Sequence, residues 1–146
     1  VLFRSEWCDE VVGGVLSAGP DRLSAAGRRG IPQVVSVGAL DMVNFGGADT
    51  VPERFGGRNL YRHNPSVTLM RTSPAECEEI GRRIAERLSA ATGPTVLVLP
   101  LRGVSMIDAE GEPFYDPEAD RVLFETLRAR VGDGVEVVEV DAHNGR

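Results

Sequence analysis

The chain has 146 residues, 42% of them hydrophobic and 26% charged, with a net charge of -6, and such a composition supports one globular domain with a real core. The acidic balance argues against a nucleic-acid binder, and no apolar run approaches the roughly 20 residues that span a bilayer. Two cysteines, Cys8 and Cys77, supply neither a disulfide framework nor metal-ligand spacing, and with no signal peptide in view the cytoplasm is the expected compartment.

In chain order, residues 1–5 read as a non-native leader resembling translated adapter DNA and are set aside. Residues 9–18 place Val11, Val12, Val15 and Leu16 at helical spacing, weakened by Gly13 and Gly14. Residues 21–29 read as a second short helix stopped by Gly30. Residues 33–37 form a β-branched run that ends in Gly38 and opens into a long, glycine-rich loop over 38–58. Such a loop in a compact domain predicts a binding loop or a lid. Residues 59–62 suggest a short strand, and His63-Asn64-Pro65 a turn. Residues 67–70 are apolar and expected to be buried.

Ser73-Pro74-Ala75-Glu76 is a capping box with proline at the first helical position. The stripe Cys77, Ile80, Ile84 and Leu88 then predicts a helix ended by Gly93-Pro94, with Cys77 a buried thiol. Residues 95–99 read as a second buried strand opening into another polar loop over 100–105. Asp116-Pro117 starts a further helix with Leu123, Phe124, Leu127 and Val131 on its inner face. Residues 135–140 form a last strand. This order of strands and helices predicts an α/β domain whose parallel sheet is covered by helices.

Ligands in such sheets sit where loops leave the carboxyl ends of strands. The first loop offers Gly38, Asp41 and Asn44, and the second Arg102, Gly103 and Ser105. His63 and Asn64 lie on a connection able to fold over the same edge, and Arg71 stands just before a helix start, where the dipole gives it no reason to be. Asp41 and His63 are the proton-handling candidates. The others would hold a small anionic ligand. Each also has a structural reading: Asp41 as a helix cap, Asn44 as a turn residue, His63 bonded to a backbone carbonyl, Arg102 in a salt bridge between domains. His143 is a weak signal. No phosphate loop, G-x-G-x-x-G, nucleophile elbow or metal-binding histidine pair is present.

Three stretches carry a family likeness: Gly-Ile-Pro-Gln-Val-Val-Ser-Val-Gly-Ala-Leu-Asp-Met-Val-Asn-Phe-Gly (30–46), His-Asn-Pro-Ser-Val-Thr-Leu-Met-Arg-Thr (63–72) and Pro-Phe-Tyr-Asp-Pro-Glu-Ala-Asp (113–120). They resemble the uncharacterised family of the tomato mosaic virus resistance protein and its bacterial and fungal relatives, described as having an ATP-binding domain. The resemblance implies two successive Rossmann-like α/β domains, with residues 6–146 forming most of the second. It also implies that ATP, if bound by the full-length protein, sits mainly in the first domain, so no cofactor is expected for this stretch alone. The partners it suggests are the amino-terminal domain of the same protein, a small anionic ligand, and, as an open option, a second copy. The plant member acts by binding a viral replication protein, whereas the bacterial members are expected to keep an older, enzymatic role. The resemblance supplies no catalytic residues. The competing expectation is a non-catalytic docking or dimerisation module, marked by an exposed apolar patch and no pocket at the strand ends.

Overall fold

The computed structural model describes residues 5–144. The expected leader therefore lies outside the described residues except for Ser5. Four helices, α1 (Glu6–Val12), α2 (Ser24–Arg28), α3 (Pro74–Ser89) and α4 (Pro117–Arg130), accompany six strands: β1 (Gln33–Ser36), β2 (Met42–Phe45), β3 (Leu60–Asn64), β4 (Val67–Arg71), β5 (Thr95–Pro100) and β6 (Val135–Val140). The strands form two sheets. In one, β1, β5 and β6 lie side by side, all parallel, with Gln33 opposite Thr95 and Thr95 opposite Val135. In the other, β4 runs antiparallel between β2 and β3.

The parallel sheet and its α/β class match the reading of the valine-rich runs. The second sheet does not: residues 38–58, expected to be one irregular loop, contain β2 and two short 3-10 turns at Ala48–Thr50 and Glu53–Phe55. The first helix also differs from expectation. It starts at Glu6 and ends at Val12, because Gly13 takes φ +100°, a conformation that costs any residue with a Cβ. Val15 and Leu16 then leave the helix and run beside β2, Val15 donating its N–H to the Asn44 carbonyl. His63 and Asn64 belong to β3 rather than to a turn.

α3 begins as its sequence requires. Ser73 Oγ accepts from the Glu76 N–H while the Glu76 carboxylate accepts from the Ser73 N–H, so two of the orphan donors of the first turn are satisfied. Its inner stripe, Cys77, Ile80, Ile84 and Leu88, is buried, and each aliphatic member stabilises the fold by about 1.5–3 kcal/mol. That stripe shares one core with Val35, Leu97 and Leu99 of the parallel sheet and with Leu123, Phe124 and Leu127 of α4. Gly81 sets how closely α3 approaches α4: a Cβ there would stand 3.1 Å from the Thr126 side chain and 3.3 Å from the Leu123 carbonyl. No helix among the described residues is long and apolar enough to cross a membrane.

Parallel pairing puts the loops after β1 and β5 at one edge, and they touch there. The Ala39 N–H donates to the Val104 carbonyl at 2.8 Å. Gly81→Val should lower thermal stability by about 1–3 kcal/mol, because α3 and α4 must separate or strain to admit the branched side chain. A denaturation midpoint equal to that of the wild type would show that the two helices do not pack this closely.

Candidate functional site

The carboxyl edge of the parallel sheet is built around a buried arginine. Arg71 ends β4, where the strand passes behind the loop 101–116, and its side chain is 4% exposed. Every arm of the guanidinium is used. Nε donates to the Phe114 carbonyl at 2.8 Å and Nη1 to Thr72 Oγ1 at 3.0 Å. Nη2 donates to Asp120 Oδ1 at 2.6 Å, with the Asp116 carbonyl at 3.3 Å and Asp108 Oδ1 at 3.4 Å. The loop is thereby wrapped around a cation that water cannot reach.

Three carboxylates surround that single cation. Asp108 is fully buried and also accepts the Val104 N–H at 2.9 Å. Asp41 is fully buried and accepts the Ser105 hydroxyl at 2.6 Å, while its Oδ1 has no hydrogen-bond partner. Asp120, on the first turn of α4, keeps 12% of its side chain exposed. Burial is the largest influence on all three acids, since it penalises the charged form. Asp41 is pushed up to about 6, with the Ser105 hydroxyl and Arg71 opposing. Asp120 is pushed up to about 7, Arg71 opposing and the charge of Asp108 adding to the rise. Asp108 also moves upward by burial, restrained by the Val104 N–H and Arg71. Asp108 and Asp120 hydrogen-bond each other, which lowers the first and raises the second. Such a pair titrates in steps that belong to both acids together. Burial also pushes the neighbouring Cys77 thiol up to about 11, and Cys8 upward as well; both are buried free thiols.

Asp120 is the member of this cluster that reaches open space. A cleft of about 710 Å³ lies beside it at the ends of β5 and β6, walled by Arg102, Gly103, Glu110, Tyr115, Arg121, Arg128 and His143 among others. Its size suits a small-molecule ligand. Gly103, at φ +128°, is required by the wall: a Cβ there would meet the Asp108 carbonyl at 2.1 Å and His143 Cδ2 at 2.8 Å. Both ring nitrogens of His143 are enclosed and without hydrogen-bond partners among the described residues.

Residues 2–144 match the family model described as the C-terminal domain of an uncharacterised protein family, UPF0261. The chain belongs to this family. It is 61% identical over 141 residues to a UPF0261 protein of Clostridium tetani, covering 96% of this chain and 35% of that protein. It is 57% identical over 130 residues to a UPF0261 protein of Rhizobium meliloti, covering 89% of this chain and 33% of that one. The ToMV resistance protein Tm-1 of Solanum lycopersicum is 45% identical over 127 residues, covering 87% of this chain and 17% of the tomato protein. The chain thus spans about a third of the length of these bacterial relatives.

Within this UPF0261 domain the residues singled out from the sequence fall into separate places. Asp41, Arg71 and Ser105 meet in the buried cluster, and Arg102 and Gly103 line the cleft. Gly38 is buried at the end of β1, where a Cβ would lie 2.5 Å from Asn144 Nδ2, so its smallness serves packing. Asn44 points away from the edge: its backbone and side-chain N–H groups donate to the buried Asp9 carboxylate, and Nδ2 also donates to Ser5 Oγ. His63 is exposed on β3 with its ring 6.5 Å from that of Tyr61. Asn64 accepts the Ser66 N–H in the hairpin turn. Neither reaches the cleft lining.

Asp108 and Asp120 escaped the sequence reading. A signal for Asp120 existed: with Leu123, Phe124 and Leu127 it occupies the positions i, i+3, i+4 and i+7 of the inner stripe of α4, where a carboxylate needs a partner. Asp108 lies in an irregular loop without periodicity, and nothing local marks it.

Asp41 and Asp120 bind protons more tightly folded than unfolded, so their contribution to stability is present in full below about pH 4 and is lost as pH rises through about 6 to 7. Chemical unfolding of the domain should therefore show stability falling over that window, and Asp120→Asn should flatten the fall. A stability rising with pH across the same range would contradict the proton occupancy of this cluster.

Proposed function

We propose that this domain forms one wall of a cleft that holds a small anionic ligand in the full-length protein. The observation that carries the reading is the 710 Å³ space at the carboxyl ends of β5 and β6, with Arg102, Arg121 and Arg128 around it and Asp120 at its side. Each arginine is neutralised by an acidic neighbour: Arg102 pairs with Asp141 at 2.5 Å, Arg121 with Glu118 and Glu125, and Arg128 with Glu139. These pairs are largely exposed and therefore weak, so an incoming anion can take the place of the carboxylates at little cost. Asp120 and its buried partner Asp108 replace Asp41 and His63 as the proton-handling groups of this reading.

A nucleoside triphosphate fits the same space poorly. α4 opens toward the cleft with Pro117, which has no N–H to give, and with Glu118 and Asp120 in its first turn, whereas polyphosphate sites use free N–H groups and positive helix termini. ATP binding, on this proposal, belongs to the remaining two-thirds of the protein.

A second reading, a docking or dimerisation module, draws support from Val15 and Leu16, adjacent and 63% and 54% exposed. The two readings separate in one experiment. A thermal-shift panel of small dicarboxylates, phosphate and sulfate on the full-length protein should raise the melting temperature, and Arg102→Gln combined with Arg128→Gln should abolish that rise. If no member of the panel stabilises the protein, or if the double variant responds as the wild type does, the cleft is not a ligand site.

A further inference from the structure

The cleft at the ends of β5 and β6 is lined by hydrocarbon as well as by charge. Leu101 and Tyr115, at the two ends of the loop that crosses the sheet edge, both belong to its wall, and they are 41% and 48% exposed. The α4 residues that line it are Pro117, Arg121, Phe124 and Arg128. Their spacing of i, i+4, i+7 and i+11 places them on one face of the helix, so an aromatic ring lies between two cations. Phe124 is buried and forms the floor. Single apolar side chains on a surface need no explanation. Two half-exposed ones sharing a concave space with that floor do, because a phosphate or sulfate ion would leave their surface in water. A ligand with a hydrocarbon body would remove it, which is favourable.

We propose that the cleft selects an oxyanion carried on a flat aromatic body, in the class of an aryl carboxylate or aryl phosphate, with Tyr115 and Leu101 as the residues that set this specificity. The inference rests on the cleft being the anion site argued above. The ligand's ring packs against Tyr115 and Leu101 over the Phe124 floor, and its oxygens take the donors of Arg102 and Arg128. Arginine suits both halves of such a ligand, since a guanidinium bonds an oxyanion in its plane and stacks its face on a ring. A flat ring also has little internal freedom to lose on binding, and its contact with another ring contributes beyond the area buried.

Paired probes isolate the contribution of the ring: phenyl phosphate against inorganic phosphate, and benzoate against acetate, titrated calorimetrically into the full-length protein at matched ionic strength. Each aromatic member should bind about tenfold more tightly than its small counterpart. Tyr115→Ala combined with Leu101→Ser should erase that ratio while phosphate still binds. Tyr115→Phe should keep it, because the face of the ring and not the hydroxyl makes the contact. Equal affinities within each pair, a ratio that survives the double substitution, or its loss in Tyr115→Phe overturns the inference and leaves the cleft as a site for small anions. Saturable binding by none of the probes, or binding that Arg102→Gln with Arg128→Gln leaves unchanged, overturns the cleft reading with it. Should the Tyr115 and Leu101 double variant fail to fold, nuclear Overhauser contacts between the ring protons of phenyl phosphate and those of Tyr115 in the wild type decide: their presence supports the inference and their absence refutes it.

Discussion

The buried guanidinium of Arg71 is the constraint on which the functional end of the molecule depends. It sits at the last position of the central strand of the antiparallel sheet and contacts the 101–116 loop at two carbonyls, Phe114 and Asp116. Through Asp120 it also holds the first turn of α4. The antiparallel sheet is thereby tied to the carboxyl edge of the parallel one. Few apolar contacts could do this, because the loop runs over that edge with its backbone polar groups turned inward, and those groups need donors. One planar cation with five donors satisfies several of them together.

That arrangement does not maximise stability. Removing one partner of a buried pair costs about 3–5 kcal/mol, yet replacing the whole group with apolar residues is often neutral or favourable. Here three acids surround one base, and burial pushes two of them well above the ordinary carboxylate range. A fold that only needed a staple would be served by one carboxylate. Strongly displaced acids beside a cleft are a recurring feature of working sites, and Asp120 joins the two. The contrast with Asp9 is informative. That buried acid accepts hydrogen bonds from Asn44 and Leu16 and serves to fix the segment after α1 against β2.

Much of the scaffold was legible from residue patterns. Valine runs at 33–37, 95–99 and 135–140 produced parallel strands, and Ser73 to Glu76 produced a capped helix, because in each case the determining interactions lie within a few residues. β2 was hidden. Its pattern is Met-Val-Asn-Phe with a polar residue facing inward, and that asparagine is tolerated only because Asp9, 35 residues earlier, meets it. Glycines at 38, 46 and 47 on either side made the segment look irregular.

The site was legible only in part, for a similar reason. Asp41, Arg102, Gly103 and Ser105 follow from where loops leave strands, and Arg71 from its place before a helix start, but their division between a buried cluster and an open cleft is set by the loop's path. His63 and Asn64 are carried away by the β3–β4 hairpin, which no local signal at those residues announces. Asp120 breaks an otherwise apolar helical stripe, and an interruption of that kind identifies a buried partner better than a polar loop does.

Carbon-13 NMR titration of the aspartate side-chain carboxyls tests the protonation of the Arg71 cluster most directly, since it reads each site without reference to any ligand. Asp120 should titrate at about 7 and Asp41 at about 6, with Asp108 changing in step with Asp120. Ordinary titration of all three at about 4 would mean that the cluster carries its full charge well below neutrality, and burial beside Arg71 would then not set the behaviour of these acids.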